Sequence, residues 1–271
     1  MYGQRIGSGR TAEIFEYGDG RVLKLYYAGM PEEQVEAEYR IGRFVCQSGV
    51  CSPMPFERVR YDDRHGIVFA RIDGVTMLAS LTRQPGAPTA EAERMARLHS
   101  CIHGLSIPDL PSQKAHLAER IRHAPLLADE EKDRIALYLR DLPDGDRLCH
   151  GDYHPDNIML GEKEWIIDWM TGMSGHPAGD VARTALLLQF GTVPDEAPGE
   201  VAEWLAAMRI QLLEAYLQAY TGYAGTTSQD IRRWMLPVAA ARLCEWIPEA
   251  EKEALAAFIR VRIREDGGEQ I

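Results

Sequence analysis

The sequence predicts an α+β fold, in which a small antiparallel sheet with one helix precedes a larger, mostly helical part. Two observations lead to this prediction. Residues 1–73 contain short alternating apolar segments separated by glycine and aspartate turns. From Thr76 onward, apolar residues recur every three or four positions, which is the helical period. The chain of 271 residues is long enough for two such parts, and we place them at residues 1–73 and 74–271.

In the N-terminal part, strands are predicted where apolar and polar residues alternate. The clearest are residues 21–26, 56–61 and 67–72. The last two form a hairpin around a predicted turn at residues 62–66. The one helix is predicted at residues 31–48, because Pro31 suits a first helical turn, Glu32 complements its positive end and Gly49 ends it.

The C-terminal part is predicted to be helical because its apolar residues form stripes at helical spacing. The predicted helices cover residues 78–81, 89–103, 112–124, 129–142, 180–188, 200–221, 228–245 and 248–264. From about residue 200 onward, aromatic and methionine side chains continue the stripes, and we expect them to be core residues. Trp234 and Trp246 belong to one such stripe.

Composition excludes several classes of protein. The net charge is −11, which argues against a general nucleic-acid binder. No apolar run approaches the ~18–20 residues of a membrane span, so we expect no membrane partner. The 5 cysteines form no C-x-x-C pair, and their count is odd. We therefore expect reduced thiols and a cytoplasmic protein.

The residues with the most chemical information lie in the segment 148–168. His150-Gly151-Asp152 follows an apolar run, Asn157 stands five positions after Asp152, and Asp168 closes a second apolar run. Phosphoryl transfer needs these residue types, because one carboxylate must orient an attacking hydroxyl and accept its proton. An amide oxygen and a second carboxylate must hold Mg²⁺ on the nucleotide phosphates.

The same segment resembles a known family. The run His150-Gly151-Asp152-Tyr153-His154-Pro155-Asp156-Asn157 is similar to the motif H-G-D-x-H-x-x-N of the aminoglycoside phosphotransferase and choline kinase families. These families are small-molecule relatives of the protein kinases. The resemblance implies a bilobal, protein-kinase-like fold. It also implies that Asp152 is the catalytic base and that Asn157 and Asp168 bind the metal, all three meeting around one ion in a cleft between two lobes.

The resemblance also assigns nucleotide-binding roles in the N-terminal part. Gly7, Ser8 and Gly9 would cover the phosphates, although Ala12 replaces the third glycine of the kinase pattern and Arg10 lies in the loop. Lys24 would contact the α- and β-phosphates. Its partner would be a glutamate on the following helix, with Glu38 preferred and Glu36 the alternative. The backbone of Ala70 and Ile72 would hydrogen-bond the adenine from the free edge of a strand.

Two other interpretations of the motif are possible from the residues alone. His150 and His154 stand four apart, as zinc ligands on a helix do, but Gly151 and Pro155 disfavour a helix there. A plain turn between strands would use the same glycine, proline and asparagine, but it would not require Asp168.

Outside the motif, two further residues have expected roles. The family pattern G-x-P-x-x-D-x-A matches residues 175–182, and we expect its Asp180 to be structural, holding the catalytic loop. His99, within Leu98-His99, is expected to be a structural histidine of the core, because no partner motif surrounds it.

The predicted function is transfer of a phosphoryl group from ATP or GTP, with Mg²⁺, to a hydroxyl of a small molecule. The acceptor is left open among aminoglycoside-, choline- and sugar-like molecules, and we expect a monomer or homodimer. Two alternatives remain. A degenerate kinase fold would bind a nucleotide without transferring its phosphoryl group. A protein kinase is less favoured, because the chain lacks a long activation segment and its Ala-Pro-Glu sequence.

Overall fold

The computed structural model describes residues 2–83, 88–191 and 199–266. The strands are β1 (Arg5–Ser8), β2 (Ala12–Glu16), β3 (Arg21–Tyr26), β4 (Pro55–Tyr61), β5 (Arg64–Ala70), β6 (Gly74–Thr76), β7 (Arg147–Cys149), β8 (Ile158–Gly161), β9 (Glu164–Ile166) and β10 (Met173–Gly175). The helices are α1 (Glu32–Gln47), α2 (Met77–Arg83), α3 (Thr89–His103), α4 (Gln113–Arg122), α5 (Asp129–Asp141), α6 (Pro177–Phe190), α7 (Gly199–Ala224), α8 (Ser228–Arg242) and α9 (Glu249–Asp266). The predicted α+β class is confirmed.

The chain divides into two compact units. Unit 1 comprises Met1–Gln84 and Pro155–Gly172, and unit 2 comprises Pro85–His154 and Met173–Ile271. This grouping differs from a single division after residue 73, because the segment 155–172 belongs with the N-terminal residues. The reason is strand pairing, since β6 pairs with β8 and β8 pairs with β9, all antiparallel.

The larger sheet of unit 1 is antiparallel, with strand order β1-β2-β3-β5-β4. Its central strand β3 sends alternate side chains to opposite faces. Leu23 and Leu25 enter one apolar cluster, whereas Tyr26 enters a second cluster that includes Val35 of α1. Helix α1 therefore covers the face of β3 that carries Lys24 and Tyr26.

The hairpin of β4 and β5 is tighter than the sequence predicted. The turn is Asp62-Asp63, with Asp62 at φ 54°, and β5 begins at Arg64 and ends at Ala70 rather than at residue 72. Gly66 suggested a longer turn, but it lies within the strand. A Cβ there would lie 2.8 Å from the Leu23 side chain, so close packing explains the glycine.

Unit 2 consists mainly of helices α3 to α9, with β7 and β10 paired antiparallel. Buried residues of α7 such as Leu212 and Tyr216 lie on the predicted apolar stripe. The expectation for Trp246 was wrong, because α8 ends at Arg242 and the Trp246 side chain beyond it is 100% exposed. Within the described residues, no helix has both the length and the apolar character that crossing a membrane requires.

Candidate active site

A buried ammonium group lies between two carboxylates in unit 1. Lys24 Nζ is 2.7 Å from Glu38 Oε1 and 2.9 Å from Asp168 Oδ1. Lys24 and Glu38 are buried, whereas the Asp168 side chain is 40% exposed. Glu38 is thus the internal partner of the lysine, and Asp168 is the carboxylate that solvent can reach.

Local sequence explains why these groups meet. Val35, Glu38 and Ile41 lie on the buried side of α1 at three-residue spacing, so Glu38 faces the sheet. Glu36 points elsewhere and forms an ion pair with Arg58. The structure therefore pairs Lys24 with Glu38 and not with Glu36.

Tyr26 completes this group and was missed from the sequence. Its hydroxyl donates a 2.5 Å hydrogen bond to Glu38 Oε2. Tyr26 stands two positions after Lys24, so both side chains leave the same face of β3. That spacing was the available signal. The hydroxyl fixes the second carboxylate oxygen of Glu38, which leaves Oε1 directed at Lys24.

The charge states follow from burial and the neighbouring charges. Burial alone would lower the pKa of Lys24, but Glu38 and Asp168 outweigh it and raise that pKa above its ordinary value. Burial raises the pKa of Glu38, and the charge of Lys24 opposes this effect. Lys24 thus remains protonated between the two carboxyl groups, of which that of Asp168 is accessible to solvent.

Asn157 precedes β8 and Asp168 follows β9, so both residues flank the same end of the β8–β9 ladder. Ile158 pairs with Ile166, and one step further the N–H of Ile167 donates to the Asn157 carbonyl oxygen at 3.0 Å. Asp168 follows in the left-handed conformation, with φ 63° and ψ 67°. Such a backbone is uncommon for a residue other than glycine and is frequent at functional sites. The ladder thus places the backbone of Asn157 opposite Ile167, the residue that precedes Asp168.

The glycine-containing segment covers the end of β1, with Gly7 and Ser8, and the start of the connection to β2, with Gly9. Gly7 pairs with Ile14 and Ser8 with Glu13, and the Gly9 N–H donates to Ala12 O at 2.8 Å. A Cβ at Gly9 would meet only an oxygen 3.9 Å away, and neither glycine is left-handed. The fold itself therefore does not require glycine at these positions.

The two residues predicted to contact adenine lie at the end of β5. The Ala70 N–H donates to the Met54 carbonyl oxygen at 2.9 Å, so that N–H is not available to a base. Strand β5 also pairs on both sides, with β3 and β4, and therefore lacks the expected free edge. Ile72 follows the strand instead of ending it, because β5 stops at Ala70.

In unit 2, one face of α6 holds the loop that contains Asp152. Asp180 accepts the backbone N–H groups of His150 at 2.6 Å and Gly151 at 2.8 Å. Thr184 Oγ1 donates to the Tyr153 carbonyl oxygen at 2.8 Å. These α6 residues stand four apart and so share a face. Asp180 has the structural contacts that the sequence led us to expect.

The loop is not helical, so His150 and His154 are not placed like helical zinc ligands. His150 Nδ1 accepts the N–H of Asp152 at 3.2 Å, and His154 Nε2 lies 3.5 Å from Asp152 Oδ2. Arg183 Nη2 donates to Asp152 Oδ1 at 3.1 Å. Burial would raise the pKa of Asp152, but His154 and Arg183 together hold it well below its usual range. Asp152 is therefore a carboxylate at any physiological pH.

A buried cluster of histidines and tyrosines lies behind Asp180. The Nε2 atoms of His99 and His103 are 3.0 and 3.2 Å from Asp180 Oδ2, and their Nδ1 atoms are 2.6 and 2.7 Å from the hydroxyls of Tyr216 and Tyr220. These ligand atoms are close enough to hold a metal ion. Neutral imidazoles satisfy every one of these contacts as hydrogen bonds, however, so the cluster is explained as support for Asp180.

Arg183, Thr184 and His103 were also missed from the sequence. The signal for the first two was position, since they stand three and four residues after Asp180 in an otherwise apolar helix. His103 stands four residues after His99 and so faces the same way.

Comparison with known proteins settles the family. A family model described as the phosphotransferase enzyme family matches residues 3–227. The chain belongs to this family. A thermostable mutant of aminoglycoside phosphotransferase APH(4)-Ia, in a ternary complex with AMP-PNP and hygromycin B, has 16% identity and a TM-score of 0.65, covering 96% of this chain and 92% of that one.

Two further structures are similar. One is the streptomycin–ATP–APH(2")-IIa ternary complex, at 17% identity and a TM-score of 0.58, covering 96% of this chain and 93% of that one. The other is macrolide 2'-phosphotransferase MphH from Brachybacterium faecium, at 18% identity and a TM-score of 0.53, covering 95% and 90%. At these identities the likeness shows the fold, and the predicted protein-kinase-like fold and family resemblance are confirmed.

A curated relative is acyl-CoA dehydrogenase family member 11 of Rattus norvegicus, with 39% identity over 62 residues. That match covers 20% of this chain, and the chain spans only 8% of the length of that relative.

The buried histidines behind Asp180 predict that the folded chain loses stability in acid. Burial lowers the pKa of His99 to about 3, whereas an unfolded histidine has a pKa of about 6.5. Between these values the unfolded chain binds more protons, so stability is full above pH ~6.5 and falls as pH falls. When the pH falls from 7 to 5, protonation of His99 in the unfolded chain should lower the free energy of unfolding by about 2 kcal/mol.

Urea unfolding at pH 7 and pH 5 measures this cost. His99→Gln should show a flatter pH dependence than the wild type, and the exposed control His123→Gln should not. Equal pH dependence in the wild type and His99→Gln would contradict the assignment.

Proposed function

We propose that the chain is a Mg²⁺-dependent kinase that transfers the γ-phosphoryl group of ATP or GTP to a hydroxyl of a small molecule. The observation that carries this proposal is the grouping of Lys24, Glu38 and Asp168 in a phosphotransferase-family chain, with Asn157 at the same end of the β8–β9 ladder as Asp168. One ammonium for phosphates and two oxygen ligands for a metal are what a triphosphate site requires.

Unit 1 would supply the nucleotide site. Lys24 would contact the phosphates, with its position maintained by Glu38. Gly7, Ser8 and Gly9 would lie over the phosphates, and the absence of any packing need for the two glycines supports a requirement from a ligand. The Ala70 carbonyl and the Ile72 backbone would hydrogen-bond the base.

The residues present fit a magnesium ion. The Asp168 carboxylate is partly exposed and Asn157 adds an amide oxygen, and both are hard oxygen donors of the kind Mg²⁺ prefers. When bound, the ion would neutralise charge on the phosphate oxygens. Two nucleotide complexes among the similar structures support a nucleotide in this fold.

Unit 2 would contribute Asp152, the residue that orients the acceptor hydroxyl. Its low pKa keeps it ionised, so it can accept a hydrogen bond from the acceptor hydroxyl and orient the attack. A strong base is not needed if the proton leaves late in a loose transition state. Most of the rate enhancement would then come from positioning and charge stabilisation.

The acceptor is proposed as a hydroxyl-bearing small molecule of the aminoglycoside, choline or sugar type. Hygromycin B and streptomycin are bound in two of the similar structures, and a third is a macrolide phosphotransferase. Since fold does not determine substrate, a nucleotide-consumption screen over such molecules and other hydroxyl metabolites is the way to find it.

The first test of this proposal replaces the base. Asp152→Asn should lower turnover by ~10²-fold or more with the acceptor from the screen, because the amide cannot accept the proton, while nucleotide binding stays intact. Steady-state kinetics and calorimetry measure both quantities. The exposed control Asp109→Asn should behave as the wild type. Near-normal turnover in Asp152→Asn would reject Asp152 as the base.

The second test concerns the metal. Asp168→Ala should abolish Mg²⁺-dependent nucleotide binding, because it removes the accessible carboxylate. Calorimetric titration of ATP with and without Mg²⁺ measures this dependence, and Asp63→Ala in the exposed turn after β4 is the matched control. If Asp168→Ala binds nucleotide with the same Mg²⁺ dependence as the wild type, Asp168 is not a metal ligand.

A further inference from the structure

Arg183 links the loop of Asp152 to the C-terminal helices through four hydrogen bonds. Its Nε donates to the Gly151 carbonyl oxygen at 3.1 Å and its Nη2 to Asp152 Oδ1 at 3.1 Å. The same guanidinium binds Glu245 in a bidentate way, at 2.5 Å to Oε1 and 3.0 Å to Oε2. One planar group therefore fixes both the backbone and the side chain of the loop at residues 151 and 152.

Glu245 is itself held in place. Arg242, which is buried, donates to Glu245 Oε2 at 2.8 Å. The Arg242 Nε also donates to the buried Glu251 at 2.9 Å. The result is a chain of alternating charges that runs from the loop through α6 and the end of α8 to α9. Partly buried charges of this kind persist only when each has its partner.

We propose that Arg183 is a positioning residue for Asp152, and that the Glu245–Arg242–Glu251 chain holds Arg183 in its orientation. This inference rests on the proposed function, in which the Asp152 carboxylate orients the acceptor hydroxyl. Carboxylate placement within a fraction of an ångström matters for such a role, because a misplacement of about 1 Å can cost ~10²-fold in rate.

Arginine suits this role better than lysine. The guanidinium presents donors in a fixed plane, so it can bond a carbonyl and two carboxylates at once. Lysine would retain the positive charge but has a single nitrogen. The other titratable and charged groups near Asp152 and Arg183 are His150 and His154 of the loop, His116 of α4, and Glu245, Arg242 and Glu251.

The experiment is a double-mutant cycle on the full chain, with water as the acceptor. Inorganic phosphate release from Mg·ATP is measured for the wild type, Arg183→Gln, Asp152→Asn and the double variant. Arg183→Gln should lower kcat by roughly 10- to 100-fold and change the KM for ATP little. In the Asp152→Asn background, Arg183→Gln should lower kcat by a much smaller factor, because Arg183 acts through Asp152. Arg183→Lys should fall between Arg183→Gln and the wild type.

Two controls separate positioning from folding. Thermal unfolding shows whether each variant is folded. The control variant Arg232→Gln, on the exposed side of α8, should keep the wild-type rate of phosphate release. A second readout is the ¹³C resonance of the Asp152 carboxyl, identified by its loss in Asp152→Asn. Its titration should move to higher pH in Arg183→Gln, because a paired positive charge is lost.

The outcomes are distinct. A folded Arg183→Gln with wild-type kcat, or equal losses in both backgrounds, would overturn the proposal for Arg183. If Asp152→Asn keeps its rate, the proposed base role fails instead, and the carboxyl titration still decides whether Arg183 holds Asp152. An unchanged titration in Arg183→Gln and Arg183→Lys would show that it does not.

Discussion

The buried ion pair of Lys24 and Glu38 is the interaction on which unit 1 depends. A charge removed from water is tolerated only with a partner, and removing one partner of such a pair typically costs about 3–5 kcal/mol. The pair ties β3 to α1, and Tyr26 fixes its geometry. Because Glu38 is buried and Asp168 is partly exposed, the lysine has one permanent partner and one that other ligands can reach. The structural ion pair thus lies next to a carboxylate that solvent can reach.

In unit 2, the main structural feature is a short irregular loop, which contains Asp152 and is fixed by hydrogen bonds. Helix α6 does this with three residues on one face. Asp180 accepts hydrogen bonds from two loop N–H groups. Arg183 donates to a loop carbonyl and to the Asp152 carboxylate, and Thr184 donates to a further loop carbonyl. The histidine and tyrosine cluster supports Asp180 from behind, and an ionic chain supports Arg183. Helix α6 thus provides hydrogen-bond partners for four backbone groups of the loop, in place of the partners that helix or sheet would supply.

Much of this arrangement could be predicted from the sequence, because it depends on local period. The alternation in β3 placed Lys24 on a strand, the family resemblance favoured Glu38 over Glu36, and helix α3 begins and ends at the residues predicted. Contacts distant in sequence could not be predicted. Arg183 and Glu245 are 62 residues apart, and Gly66 suggested a turn although strand packing required it. Trp246 continued a helical stripe past the true end of its helix, which no local signal marked.

In the proposed function, Lys24, Asn157 and Asp168 together bind a metal–nucleotide complex. A crystal structure of the chain with AMP-PNP and Mn²⁺ in place of Mg²⁺ would test this binding, since anomalous scattering locates the ion. We expect the ion about 2.1 Å from oxygens of Asn157 and Asp168, with Lys24 Nζ within about 3 Å of a phosphate oxygen. An ion bound elsewhere, for example between His99, His103 and Asp180, or a nucleotide bound without contact to Lys24, would contradict it.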